Sequence, residues 1–60
     1  MTPTEFRYAL EITLAFWLDA AERDAHAMAE TRYPPMVVFH RRQAEKNLAR
    51  AIKTMEALNQ

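Results

Sequence analysis

Arg32-Tyr33-Pro34-Pro35 is the one interior point of this 60-residue chain at which a helix cannot continue. Proline lacks the amide donor and disfavours α geometry in the residue before it, so two in succession hold Tyr33 and Pro34 extended and turn the chain. On the N-terminal side, no Gly or Pro interrupts residues 4–31, and Ala, Leu, Glu and Met dominate, all good helix formers. The start of that helix is marked by Thr2-Pro3-Thr4-Glu5: a Thr N-cap, Pro at the first helical position and Glu three residues after the cap, the pattern of a capping box. The sequence therefore predicts helix 1 over about residues 3–31 and helix 2 over about 35–58, folded back as an antiparallel hairpin.

Apolar residues on helix 1 form two stripes. Phe6, Leu10, Leu14, Trp17, Ala21, Ala25 and Met28 recur at spacings of four and three, and Ala9, Thr13, Phe16, Ala20 and Ala27 lie beside them. A hairpin needs one buried stripe, so the second argues for another packing partner, most simply a second copy of the chain. Helix 2 has a narrower stripe of Val37, Ala44, Leu48, Ala51, Ile52, Met55 and Leu58, with Arg41 the charged residue on that line.

Length and composition press the same way. Half of the residues are apolar, but 11 of those 30 are Ala, which leaves few large side chains for a core. Ordering a chain this long costs ~90 kcal/mol of conformational entropy, or ~3,600 Å² of apolar burial, and a two-layer monomer falls short of that area. The expected architecture is all-α: a single helical-hairpin domain over residues 1–60 that dimerises into a four-helix bundle. Ala9, Leu10, Thr13, Phe16, Trp17, Ala20 and Ala27 are the expected dimer interface, the alanines allowing close approach and the two aromatics serving as anchors.

What is missing excludes whole classes of chemistry. The chain has no Cys, so thiolate metal sites, Cys nucleophiles and disulfide staples drop out, and a reducing, cytoplasmic setting is expected. It has no Gly for a phosphate-cradling loop and no Ser for a Ser-based nucleophile. The longest uncharged apolar run, Ile12–Leu18, is too short to span a bilayer and follows acids rather than a basic leader. No enzyme activity and no cofactor are expected.

Charge is balanced in total, at eight basic and eight acidic residues, but not in distribution. Residues 1–31 carry six acids against Arg7 and Arg23, whereas residues 36–60 carry five bases against Glu45 and Glu56. An acidic helix lying beside a basic one accounts for this pattern.

Three constellations are candidates for function. Glu22-x-x-x-His26-x-x-x-Glu30 places two carboxylates and an imidazole on one helical face, the makings of a metal half-site shared across a dimer, yet the face lies opposite the apolar stripe and is expected to be solvated. Arg42, Lys46, Arg50 and Lys53 form a basic row on helix 2 that can track phosphates or dock on an acidic protein, or simply balance helix 1. At the hinge, Tyr33, Pro34, Pro35, Met36, Val38 and Phe39 bring aromatic and apolar side chains onto a rigid corner beside Arg32, Arg41 and Arg42, the composition of a protein-binding hot spot in which Tyr33, Pro34, Met36, Phe39, Arg42 and Lys46 are the expected partner-binding residues; the alternative is that they cap the end of the bundle near Met28 and Ala29.

In size, hairpin pattern and lack of catalytic groups, the whole chain resembles the small helical proteins by which phages and other mobile elements inhibit host regulators, such as the anti-activators of quorum sensing. That resemblance implies a homodimer in the host cytoplasm that binds and inhibits or modulates a host regulatory protein, for example a transcription factor. In shape the hairpin is also similar to the plasmid-copy-control ROP proteins, which implies the alternative of nucleic-acid binding through the basic row. A metal-dependent enzyme centred on His26 is the third reading.

Overall fold

The computed structural model describes all of residues 1–60, as two helices: α1 (Pro3–Glu30) and α2 (Pro34–Leu58). They lie antiparallel and form a rod of 47 × 14 × 13 Å. Each helix is bounded by the residues that the sequence marks. Thr2 is extended, and its hydroxyl oxygen accepts the Glu5 amide at 3.1 Å, which satisfies one of the orphan donors of the first turn. At the other end, Thr31 leaves the helix in an extended conformation, and its hydroxyl oxygen accepts the Tyr33 amide at 3.3 Å.

The turn is one residue tighter than the proline rule predicts. Tyr33 is extended, as the residue before proline must be, but Pro34 is already helical, so Pro34 and Pro35 occupy the first two positions of α2. Neither position has an intrahelical partner for an amide, so two prolines cost the helix no hydrogen bond there. The Tyr33 carbonyl accepts the next two amides, from Met36 at 2.9 Å and Val37 at 3.1 Å.

Packing between the helices follows a seven-residue repeat. From α1, Leu10, Trp17 and Asp24 line the seam, continued by Thr31 just past the helix end, with Leu14, Ala21 and Met28 on one flank and Ala20 and Ala27 on the other. From α2, Val37, Ala44, Ala51 and Leu58 alternate with His40, Asn47 and Thr54. Only Ala21, Asn47, Ala51 and Thr54 are buried. The small side chains let the axes approach, and the hydroxyl of Thr54 is satisfied by the Arg50 carbonyl of the preceding turn at 2.9 Å.

This register differs from the stripe expected for α2. Leu48, Ile52 and Met55 are roughly half exposed, while His40, Asn47 and Thr54 take the seam. The same happens on α1, where Asp24 rather than Ala25 faces α2. The physical reason is the carboxylate: drawn into the seam, Asp24 has to be compensated by donors from the facing helix, and His40 and Asn47 are the residues that supply them.

Candidate functional site

At the hinge end, Tyr33, Met36, Val38 and Phe39 are all solvent-exposed. They sit on the first turns of α2, whose direction is fixed by the Pro34-Pro35 start, and Phe39 packs edge-on against the His40 ring at a centroid distance of 5.3 Å. His40 is in turn held by Asp24 at 3.1 Å. The exposed ring is thus anchored through its neighbour to the interior of the hairpin, which limits its freedom before any partner arrives. Arg42 and Lys46 are exposed further along α2, where the sequence places them.

The basic row is not uniform. Arg42, Lys46 and Lys53 are exposed and form no ion pair, but Arg50 is engaged: its guanidinium donates to Asn47 Oδ1 at 3.1 Å and lies over the Trp17 ring at 4.7 Å. Trp17 is half-buried in the seam, and Phe16 meets it edge-on at 5.0 Å while remaining exposed itself. Of the other residues expected at a dimer interface, Leu10, Ala20 and Ala27 are partly covered within the hairpin, whereas Ala9 and Thr13 are exposed, the Thr13 hydroxyl donating to the Ala9 carbonyl at 2.8 Å.

Glu22 and His26 approach to 3.8 Å on the outer face of α1, with both side chains 72% exposed. Glu30 does not complete a triad with them, and nowhere do three His, Cys, Asp or Glu side chains gather as metal ligands do. An open groove between the chain ends is lined by Pro3, Phe6, Arg7, Leu10, Ala57 and Leu58, with Arg7 donating across it to the Leu58 carbonyl at 3.2 Å.

The feature that the sequence reading missed is the polar chain through the seam. Asp24 Oδ1 meets His40 Nδ1, Asp24 Oδ2 accepts from Asn47 Nδ2 at 3.0 Å, and Asn47 Oδ1 accepts from Arg50. No buried side-chain polar atom is left without a partner. The signal was present in the spacing: Leu10, Trp17 and Asp24 are seven apart, and so are His40, Asn47 and Thr54.

The chain matches no protein-family model, no curated protein and no solved structure. Neither helix is long and apolar enough to cross a membrane.

Proposed function

We propose that the protein is a non-enzymatic interaction module: a homodimeric four-helix bundle that binds a regulatory protein, for example a transcription factor, and inhibits or modulates it. Tyr33, Pro34, Met36 and Phe39 provide the apolar centre of the binding surface, and Arg42 and Lys46 provide a cationic margin suited to an acidic partner. The observation that carries this reading is the exposure of Tyr33, Met36 and Phe39 together on a corner whose backbone is fixed by two prolines. Aromatic and Met side chains presented without loss of backbone freedom are what a hot spot requires. This is the mode of action implied by the likeness to mobile-element inhibitors of host regulators.

The competing reading, nucleic-acid binding along the basic row, rests on Arg42, Lys46 and Lys53, with Arg50 shared between that row and its contacts to Asn47 and Trp17. The test is capture from a nuclease-treated lysate by the tagged chain, in parallel with Tyr33→Ala, Met36→Ala and Phe39→Ala variants of unchanged helicity and mass. Retention of one protein by the parent chain and its loss from the variants supports the proposal. Capture that vanishes with nuclease, together with RNA or DNA binding that weakens steeply with salt, overturns it in favour of the basic row.

A further inference from the structure

The hairpin has two long sides that can be told apart by the contacts crossing each. On one, Arg7 reaches over to the carbonyl of Leu58; on the other, Arg50 reaches back over Trp17. Antiparallel packing places Leu14, Leu18 and Ala25 of α1 with Val38, Leu48, Ile52 and Met55 of α2 on the Arg7 side. The Arg50 side carries Ala9, Thr13, Phe16 and Ala20 with Gln43, Lys46 and Lys53.

Along the Arg7 side of α2, residues 38, 41, 45, 48, 52 and 55 follow alternating spacings of three and four, a second heptad line parallel to the one that packs on α1. It reads Val, Arg, Glu, Leu, Ile, Met, against Val, His, Ala, Asn, Ala, Thr, Leu for the seam inside the hairpin. The bulkier aliphatic line is therefore the outer one: Val38 is 40% exposed, Leu48 46%, Ile52 50% and Met55 43%, and Leu18 on the neighbouring helix is 45% exposed. The polar seam fixes this orientation, because rotating α2 to bury Leu48 and Ile52 would strip Asp24 of both its partners.

We infer that this aliphatic side is the surface on which a second copy of the chain docks. The inference deepens the homodimer of the proposed function by naming the face it uses, which is the side opposite the one carrying Ala9, Thr13, Phe16 and Ala20 that the sequence suggests. Surface area supports the occupant. A compact monomer of 7.0 kDa exposes about 4,000 Å², whereas this chain exposes 4889 Å². The excess, roughly 850 Å², is about what one partner contributes to a standard stable interface. It is also less than a quarter of the rod's surface, so covering one of its four long sides is enough.

Charge selects the side. In a two-fold dimer each patch faces its own copy, so a patch of one sign repels itself. The cations of the aliphatic side are already matched within their own helices, Arg7 with Glu11 at 3.5 Å and Arg41 with Glu45 at 3.7 Å. On the Arg50 side, Lys46, Arg50 and Lys53 have no acidic partner, and a docking that sets α2 against α2 of the second copy would bring them against the same three cations.

The experiment pairs mass with a solvent-accessibility map. The full chain is expected to have twice its 7.0 kDa mass by sedimentation equilibrium, and Leu48→Glu with Ile52→Glu is expected to halve it, while Phe16→Glu leaves it doubled. Because the double variant can also unfold, the parent chain is examined by NMR with a soluble gadolinium chelate: the methyl signals of Leu18, Leu48, Ile52 and Met55 should escape broadening, and that of Ala15 should not. A parent chain that stays at 7.0 kDa at every concentration overturns both the face and the homodimer. A doubled mass with the Ile52 methyl broadened like that of Ala15, or a mass halved by Phe16→Glu alone, overturns the face and leaves self-association standing.

Discussion

Asp24 on α1 and Asn47 on α2 are joined by a 3.0 Å hydrogen bond across the interior of the hairpin, Asn47 Nδ2 donating to the carboxylate. The other carboxylate oxygen meets His40 at 3.1 Å, so one acid on α1 takes two partners one heptad apart on α2. Such a contact stabilises little beyond the cost of drying the groups, but it penalises every other register heavily, because a slip leaves a half-buried carboxylate without donors.

Asn47→Ala should therefore lower stability by about 1–3 kcal/mol, the cost of leaving a buried acceptor unsatisfied. For a domain of this size each kcal/mol corresponds to a loss of roughly 4–8 °C in Tm. Asp24→Ala should cost a comparable amount, and the double variant less than the sum, since the second change removes a group that the first has already orphaned. Thermal melts of the four proteins at one fixed protein concentration check this; strict additivity would mean that the bond contributes nothing.

Arg50 should be felt through the only tryptophan in the chain. Removing its guanidinium in Arg50→Ala uncovers the Trp17 ring and takes a donor from Asn47. The expected result is a red-shifted Trp emission and a loss of about 0.5–2 kcal/mol. Arg50→Lys keeps the charge but not the planar fork, so it should recover part of the stability and less of the emission spectrum. An Arg50→Ala variant with unchanged emission would show that the stacked geometry does not persist in solution.

The helices and the turn were legible because their signals are local. Thr2-Pro3-Thr4-Glu5 and Tyr33-Pro34-Pro35 act within one helical turn of themselves, and the helix limits they imply match the observed ones to within a residue. The face of α2 was not legible from hydrophobicity, since Leu48, Ile52 and Met55 are the more apolar choice yet lie outside. What decides the face is a polar group on the other helix, and a stripe reading of each helix alone cannot see it. The hinge cluster lies between these cases: Met36, Val38 and Phe39 fall off either reading of the seam and are exposed.

The N-terminal cap gives a separate local test. Thr2→Ala removes the side-chain acceptor of the Glu5 amide, and should cost about 0.5–2 kcal/mol. The loss should appear as fraying rather than as a change of register: amide exchange should rise across the first turn of α1, and the exchange of Asn47 and Ala51 should follow only the global stability. Thr2→Ser, which keeps the hydroxyl, should restore the protection.

The hinge cluster separates binding from folding most directly. Tyr33 and Phe39 are exposed and lie outside the seam, so Tyr33→Ala and Phe39→Ala should each change stability by no more than about 0.5 kcal/mol, as surface substitutions do. If the corner is a hot spot, the same substitutions should weaken partner binding by 2 kcal/mol or more, about thirtyfold in Kd. Phe39 is the sharper probe of the two, because its ring is oriented by His40, which Asp24 holds from within the seam. Asp24→Ala should then weaken binding as well, without touching the partner, by freeing His40 and the ring stacked on it. Melting both variants beside the parent chain and titrating each with the captured partner decides the matter: a large loss of Tm in Phe39→Ala would make the corner part of the core, and full binding by it would remove the corner from the interface.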